Sequence, residues 1–205
     1  MATKDHQSEP IESASETLQR IFDGHGSVLG SQMADESSRY DVLKKTDFPK
    51  PQRTRRIAVA NQKGGVGKTT STVNTAAALA NKGAQVLVID MDPQGNASTA
   101  LGVSHASGEP SVYDVIEGRS DLGDVITVCP DFPTLDVVPA SIDLSGAELE
   151  VADLPNRNTL LKEALDLYLR QSDKHYDYVF IDCPPSLGLL VINAMCAVTE
   201  MLIPI

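Results

Sequence analysis

The sequence predicts an α/β fold in which helices cover both faces of a parallel sheet. From residue 56 onward, short apolar runs typical of buried strands alternate with amphipathic or alanine-rich segments typical of helices. A glycine-rich turn follows the first apolar run, and aspartates follow the second and the fourth. Because ligands of parallel sheets bind beyond the carboxyl ends of the strands, the pattern also predicts where the functional site lies.

Each predicted element has its own local signal. The strands are short and rich in Val and Ile, and the helix that ends at Gly83 has a natural C-cap there. Apolar residues recur at helical spacing in the third helix, which predicts an amphipathic helix packed on the sheet. The predicted strands are Arg56–Ala60, Gln85–Ile89, Leu135–Val138, Tyr178–Ile181 and Met201–Ile205, and the predicted helices are Thr69–Lys82, Ser111–Glu117, Asn156–Arg170 and Leu187–Ala197.

The composition is that of a globular domain. The chain has 205 residues, of which 41% are hydrophobic and 22% charged, and this length is enough to bury a substantial core. Its apolar runs are shorter than the roughly 20 residues that a membrane-spanning helix needs, and the polar N-terminus lacks the apolar segment of a secretory signal. Three cysteines without CxxC spacing favour reduced thiols. These observations predict a cytoplasmic protein.

Residues 1–52 are predicted to be a flexible, disordered N-terminal tail. They are rich in Ser, Glu, Asp and Pro, and their apolar residues are too sparse for a core. Thr17–Phe22 has the pattern of a helical turn, although a solvated leader is the simpler interpretation. The prolines of Phe48–Gln52 disfavour helix and mark the boundary. The folded domain is therefore expected to span residues 53–205.

The net charge of −11 counts against a surface that is basic throughout. A local basic patch is still compatible with it, and the run of Arg53, Arg55 and Arg56 is the candidate. Two interpretations stay open for this run: contact with nucleic-acid phosphates, or a solubilising flank to the first strand.

The turn after the first strand has the residues of a phosphate-binding loop. Gly64, Gly65 and Gly67 allow backbone N–H groups to converge on phosphate oxygens, and the following helix presents the positive end of its dipole. Lys68 is placed to reach the β- and γ-phosphates, and the Thr69 hydroxyl is placed to bind Mg²⁺. The loop therefore predicts a nucleotide site.

This loop contains a second lysine and departs from the usual pattern. The pattern G-x-x-x-x-G-K-[ST] requires glycine where Gln62 stands, and the chain has Lys63 before the two adjacent glycines. The run resembles the deviant Walker A motif of the ParA/MinD family of ATPases, which have a P-loop NTPase-like fold. The resemblance implies that Lys63 reaches across an ATP-bound sandwich dimer to the partner's phosphates; a solvated loop side chain is the alternative. The nucleotide-binding residues are then Lys63, Gly64, Gly65, Val66, Gly67, Lys68, Thr69 and Thr70.

Three aspartates complete the predicted site. Asp182 ends an apolar strand, the setting of a Walker B aspartate that holds Mg²⁺ directly or through water, although a helix cap is the alternative. Asp92 resembles the family's switch I aspartate, which orients the attacking water. Asp90 is assigned to shaping the loop or to the Mg²⁺ shell. The expected catalytic residues are thus Lys63, Lys68 and Asp92, and the expected cofactors are ATP and Mg²⁺.

Further motifs resemble the chromosome- and plasmid-partitioning branch of the family, ParA/Soj. They are DPQGNAST, Val138–Glu150 and Asp177–Leu190, and the resemblance extends from about Arg56 to Ile205. It implies a homodimer in ATP that binds nucleoid DNA without sequence preference. A ParB-type centromere-binding protein would stimulate hydrolysis and release the ATPase from DNA.

The chain stops inside a predicted strand, at the residues MLIPI. We therefore expect a C-terminal truncation, with most of the family's DNA-binding residues and part of its adenine pocket beyond Ile205. Two other functions are compatible with the motifs: a MinD-like membrane-cycling ATPase, which would need a C-terminal amphipathic helix, and a nucleotide-binding interaction module without turnover. The DPQGN run favours partitioning. A metal-cluster carrier of the same superfamily is not favoured, because the chain lacks CxxC.

Overall fold

The computed structural model describes residues 28–46 and 48–205. It divides into two compact units, Met1–Phe48 and Pro49–Ile205. The second unit begins within the predicted boundary segment. Whether residues 1–52 are flexible stays a prediction, and the expected turn at Thr17–Phe22 lies outside the described residues.

The first unit contains a helix that the sequence analysis does not predict. This helix, α1 (Val28–Lys45), has exposed apolar side chains, and its apolar residues do not form one face. The sequence therefore shows no amphipathic pattern from which the helix could be predicted. Half of its 18 residues are nevertheless good helix formers, namely Leu, Gln, Met, Ala, Glu, Arg and Lys. Lys44 and Lys45 stand in its last turn, where positive charge favours the helix dipole. Residues 28–45 of the predicted tail are therefore helical.

The second unit is built on a six-stranded sheet, which confirms the predicted α/β class. The strand order is β3-β4-β2-β5-β1-β6. All pairs are parallel except β3 with β4, which is antiparallel. The short edge strand β3 is not predicted, because two residues show no periodicity. The strands are β1 (Arg55–Val59), β2 (Val86–Asp90), β3 (Thr127–Val128), β4 (Leu135–Val138), β5 (Tyr178–Asp182) and β6 (Glu200–Leu202).

Seven helices connect these strands in the described part of the second unit. The four predicted helices are present, and α7 begins four residues later than expected. The other three have only one or two turns, too few to show a period. None of the helices in the described residues is long and apolar enough to cross a membrane. The helices are α2 (Lys68–Asn81), α3 (Asn96–Ala100), α4 (Val112–Ile116), α5 (Leu122–Val125), α6 (Leu144–Glu150), α7 (Leu160–Gln171) and α8 (Leu189–Ala197).

Core residues lie on both faces of the sheet because side chains alternate along each strand. Val88 packs on one face with the small residues Ala76 and Ala80 of α2. Leu87 packs on the other face, where α7 contributes Leu161 and α8 contributes its own apolar residues. Each fully buried leucine contributes about 1.5–3 kcal/mol of transfer free energy, so the amphipathic pattern of α7 is explained by this packing.

The strand order brings three loops to one edge of the sheet. Central β5 lies between β1 and β2, and Asp182 at its end pairs in register with both Val59 and Asp90. Backbone hydrogen bonds continue past the strand ends, with Met91 N–H donating to the Asp182 carbonyl at 2.9 Å. The glycine loop and the three aspartates therefore meet, as the sequence analysis predicts.

Two arginines of the basic run, at the start of β1, are paired with carboxylates within the domain. The Arg55 guanidinium pairs with Glu200 on β6, including an Nε–Oε1 hydrogen bond of 2.9 Å. Arg56 forms an ion pair with Asp166 on α7. Partly exposed pairs of this kind stabilise by about 1 kcal/mol or less. The contacts support the interpretation of this run as a flank to the first strand.

Candidate nucleotide-binding site

The loop between β1 and α2 has the backbone of an anion cradle. Gly65 and Gly67 have φ angles of 75° and 83°, in the left-handed region that favours glycine. Gly67 is also the N-cap of α2, and the first helical hydrogen bond recorded there runs from Ser71 N–H to the Gly67 carbonyl at 2.8 Å. The N–H groups of the first turn consequently point out of the helix end, available to an anion.

Lys68 lies in the first turn of α2 with its side chain folded over the loop. Only 7% of the residue is exposed, and Nζ donates to the Lys63 carbonyl at 3.4 Å. An ammonium group has three protons to donate, and one long hydrogen bond uses a single proton. Lys68 is therefore positioned as the buried cation that a phosphate group would contact.

Asp182 lies behind the loop and joins it to β5. Its Oδ2 accepts a hydrogen bond from the Thr69 hydroxyl at 2.6 Å, and its Oδ1 accepts one from the Thr72 hydroxyl at 2.9 Å. The pKa of this carboxyl is raised to about 6: burial is the main cause, the hydrogen bonds from the two hydroxyls oppose it, and the neighbouring negative charges of Asp90 and Asp92 add to it. A cation beside Thr69 and Asp182 would relieve this unfavourable burial of negative charge.

Asp90 has a structural role in the loop that follows β2. The residue is fully buried; Oδ2 accepts from both the N–H and the hydroxyl of Ser98 at 2.8 Å, and Oδ1 accepts from Asp92 N–H at 3.1 Å. The Ser98 hydroxyl in turn accepts a hydrogen bond from Ala140 N–H at 3.1 Å. Burial raises the pKa of Asp90. Of the two predicted roles, these contacts support the shaping of the loop.

Asp92 borders the open side of the site. It is 8% exposed, and its Oδ1 accepts a hydrogen bond from Gln94 N–H at 3.0 Å. This contact fixes the carboxylate against its own loop. The side chain is thus held at the edge of the cleft.

A cleft of about 390 Å³ contains most of the predicted residues. Lys63, Val66 and Asp90 are not among its lining residues, and fully buried Asp182 is reached through Thr69. The cleft also uses side chains that the sequence analysis did not select, although two of them stand in the DPQGNAST motif. Its lining consists of Gly64, Gly65, Gly67, Lys68, Thr69, Thr70, Asp92, Gln94, Asn96 and Pro185.

Lys63 is exposed on the outer side of the loop. Its N–H donates to Asn61 Oδ1 at 3.0 Å, and Asn61 Nδ2 donates to the Pro204 carbonyl at 2.7 Å. Asn61, which the sequence analysis did not assign, therefore ties the start of the loop to the segment after β6. The Lys63 side chain extends from an anchored backbone.

The donor set fits Mg²⁺ held together with phosphate oxygens. Within residues 28–46 and 48–205, no group of three or more His, Cys, Asp or Glu side chains is arranged to chelate a metal. Mg²⁺ commonly binds through one or two carboxylates together with substrate phosphates and water, and Thr69 with Asp182 supplies such a partial shell.

Cys183, beside this pair, is buried, and burial raises the pKa of its thiol to about 12, so a reactive thiolate is not expected.

The sheet order, the glycine loop and the strand-end aspartates define a P-loop type of nucleotide-binding protein. A family model described as an AAA domain matches residues 54–205. The chain therefore belongs to this family, whose members are of the ParA/MinD type. This result confirms the resemblance drawn from the motifs.

The relatives include chromosome partitioning proteins. The sporulation initiation inhibitor protein Soj of Bacillus subtilis is 48% identical over 149 residues, which cover 73% of this chain and 57% of that protein. The chromosome partitioning protein ParA of Caulobacter vibrioides is 46% identical, with 73% and 55% covered. The chain thus spans little more than half the length of these curated relatives.

Some solved structures of similar proteins contain nucleotide and magnesium. Cobyrinic acid a,c-diamide synthase from Mycobacterium smegmatis, with a bound ATP analog and magnesium, is 39% identical with a TM-score of 0.68, covering 74% of this chain and 58% of that chain. The septum site-determining protein MinD from Pyrococcus horikoshii, complexed with Mg-ADP, is 32% identical with a TM-score of 0.60, covering 74% and 57%. The similarity at the level of fold and sequence agrees with the site described above.

Proposed function

We propose that the chain is the nucleotide-binding core of a Mg²⁺-dependent ATPase that acts as a switch in DNA partitioning. The observation that carries this proposal is the hydrogen bond between Thr69 and Asp182, at 2.6 Å, beside the buried Lys68. It joins a phosphate cradle to a strand-end carboxylate, the pair of groups that holds Mg²⁺ in P-loop ATPases. ATP and Mg²⁺ are accordingly the proposed cofactors.

The side chains divide the work of phosphoryl transfer to water. Loop N–H groups and Lys68 bind and neutralise the phosphates, while Thr69 and Asp182 hold the metal. Mg²⁺, when bound, neutralises charge on the phosphate oxygens. Asp92 orients the attacking water from the edge of the cleft.

Lys63 is proposed to act across a homodimer. Its side chain projects into solvent while Asn61 holds its backbone, so it lies free to approach the phosphates of a facing copy. In this arrangement the Lys68 of each copy serves its own nucleotide and Lys63 serves the neighbour's. ATP binding and dimerisation would then be one event, and hydrolysis would reverse both.

The similarity to Soj and ParA supports the finer proposal of a DNA-partitioning cycle. The ATP dimer would bind nucleoid DNA without sequence preference, a ParB-type protein would stimulate hydrolysis, and the ATPase would then leave the DNA. Affinity that rests on phosphate contacts falls steeply with salt. Because Arg55 and Arg56 already pair with Glu200 and Asp166, this DNA contact is assigned to other basic residues of the whole protein.

The test is the solution mass of the Asp92→Ala variant by light scattering, in Mg-ATP and then in Mg-ADP. Blocking hydrolysis should hold a dimer, so the mass should double in ATP alone. Asp131→Ala, which removes an exposed aspartate before β4, is the matched control and should leave turnover intact. A parallel titration with labelled ATP checks binding.

Other outcomes would favour other functions. A monomer in both nucleotides, with normal ATP binding and no turnover in the unaltered chain, would favour an interaction module. Retention on liposomes in ATP, without salt-sensitive retention on DNA, would favour a membrane-cycling ATPase. Either result would contradict the partitioning proposal for these residues.

A further inference from the structure

A histidine outside the cleft packs directly on the loop that carries Asp92. His105 is half-buried in the connection between α3 and α4, and its ring lies over Gly95. Gly95 is buried with φ 62°, and a Cβ added there would lie 2.5 Å from Nδ1 and 2.6 Å from Cε1 of the ring. The backbone and the imidazole ring thus occupy adjoining space, which only glycine allows.

The same ring reaches the helix that follows this turn. His105 Nε2 forms a hydrogen bond with the Thr99 hydroxyl at 2.8 Å. Thr99 N–H donates to the Gly95 carbonyl at 2.9 Å, which makes it part of the first turn of α3. His105 therefore contacts both the left-handed residue and the helical turn built on it.

The turn under the ring also holds Asp92. Gly95 N–H donates to the Asp92 carbonyl at 2.9 Å, and Gln94 N–H donates to Asp92 Oδ1 at 3.0 Å. Any shift of the 94–95 backbone therefore moves the Asp92 carboxylate. The imidazole lies outside the cleft lining, so its effect on Asp92 is transmitted through the turn.

The segment that presents His105 is itself anchored. Ser107 Oγ donates to the Asp143 carboxylate at 3.0 Å, and Gly108 N–H donates to it at 3.3 Å. Ser141 Oγ, after β4, donates to the same carboxylate at 2.8 Å. The ring is consequently held from the region before α6, independently of the turn that it covers.

We infer that His105 is a positioning residue for Asp92, which acts by clamping the Gly95 turn against movement. This inference rests on the proposed function, in which Asp92 orients the attacking water. A displacement of about 1 Å in a positioned catalytic group can lower a rate by roughly 100-fold. The clamp affects turnover and leaves the phosphate cradle unchanged.

The first test compares steady-state hydrolysis by the unaltered chain and His105→Ala. The expected result is a kcat reduced by roughly tenfold, less than the roughly 100-fold that a 1 Å misplacement can cost, with an unchanged dissociation constant for ATP. Thr99→Val removes the same hydrogen bond and should reproduce part of the loss, while His105→Gln should restore part of it. His175→Ala, at an exposed histidine before β5, is the matched control. An unchanged kcat in His105→Ala, or weaker ATP binding in proportion to lost rate, would overturn the inference.

A second measurement does not depend on turnover. Hydrogen exchange followed by mass spectrometry should show faster exchange in residues 92–101 of His105→Ala, because the protected amides of Gln94, Gly95 and Thr99 lie there. Exchange in the phosphate loop, residues 60–67, should not change. Equal protection of residues 92–101 in both proteins would overturn the clamp, whether or not the chain hydrolyses ATP. Absence of turnover in the unaltered chain would refute the proposed ATPase alone.

Discussion

Asp182→Asn tests the electrostatics of the site through the pH dependence of stability. In the nucleotide-free protein, burial raises the pKa of Asp182 to about 6 from an ordinary value of 3.8. The folded state therefore binds a proton more tightly than the unfolded state does. By linkage, the free energy of unfolding must rise as the pH falls through 6, and this gain is complete below the unfolded pKa.

The magnitude follows from the size of the shift. A difference of about two pKa units corresponds to roughly 3 kcal/mol, of which about 1 kcal/mol is gained between pH 7 and pH 5. The asparagine side chain is neutral at every pH, and the hydroxyls of Thr69 and Thr72 can still bond to its amide. The variant should therefore be more stable than the unaltered protein at pH 7 and should lose this advantage toward pH 4.

The assay is urea denaturation at several pH values between 4 and 7.5, with EDTA and without nucleotide. Only the difference between the two proteins is used, because titration of groups away from Asp182 then cancels. Asp131→Asn is the control for a generic loss of charge. In saturating Mg-ADP the difference at pH 7 should reverse sign, since a cation at this carboxylate stabilises its charged form.

A difference that is independent of pH would refute the reasoning. It would mean that Asp182 is charged in the folded protein down to the pH at which it titrates in the unfolded chain. Burial and the two neighbouring aspartates would then not raise the pKa of this carboxyl. If Mg-ADP stabilised both proteins equally, Asp182 would not be a residue that holds the metal.

Four other substitutions test separate parts of the site. Lys68→Ala should abolish ATP binding in a nucleotide titration. Near-normal affinity would show that Lys68 does not bind the phosphates. Lys63→Ala should keep monomer binding of ATP but, in light scattering with Asp92→Ala, should block the doubling of mass; a dimer would contradict the cross-subunit role. Gly67→Ala, at φ 83°, should cost about 1–2 kcal/mol in urea denaturation through left-handed strain and should weaken ATP binding; unchanged values for both would argue against the loop geometry. Thr72→Val removes the hydroxyl that donates to buried Asp182 and should destabilise the protein at pH 7 by about 1–3 kcal/mol. An equal loss of stability at pH 4 would show that the charge on Asp182 is not involved.

Local signals were sufficient for the elements that carry the site. In the loop from Gly64 to Thr69, each residue type predicts one part of a nucleotide site. The glycines allow backbone N–H groups to converge on phosphate oxygens, Lys68 can reach the phosphates, and the Thr69 hydroxyl can bind Mg²⁺. Apolar runs ending in aspartate marked β2 and β5, and the structure has both strands within one residue of their predicted bounds. Such features depend on residues adjacent in the chain, so a sequence displays them directly.

Short elements and isolated helices were not predictable in this way. Strand β3 has two residues, which is too few to show a period, and the five residues of α3, NASTA, are all small or polar. Helix α1 has no apolar stripe, so only the weaker signal of helix propensity was present. The basic run at β1 remained ambiguous because its partners, Glu200 and Asp166, lie more than 100 residues away along the chain.

The sequence by itself determined the class of fold, the phosphate loop and the set of aspartates, because each is written in a contiguous run. Only the tertiary structure decided which contacts each aspartate makes. Asp90 is occupied by Ser98 and the Asp92 backbone, Asp182 faces Thr69 and Thr72, and Asp92 is left at the cleft. The contact of His105 with Gly95 was likewise invisible in the sequence. These assignments depend on the strand order and on loop packing, which bring distant residues together, set the burial of each carboxyl, and raise the pKa of Asp90 and Asp182.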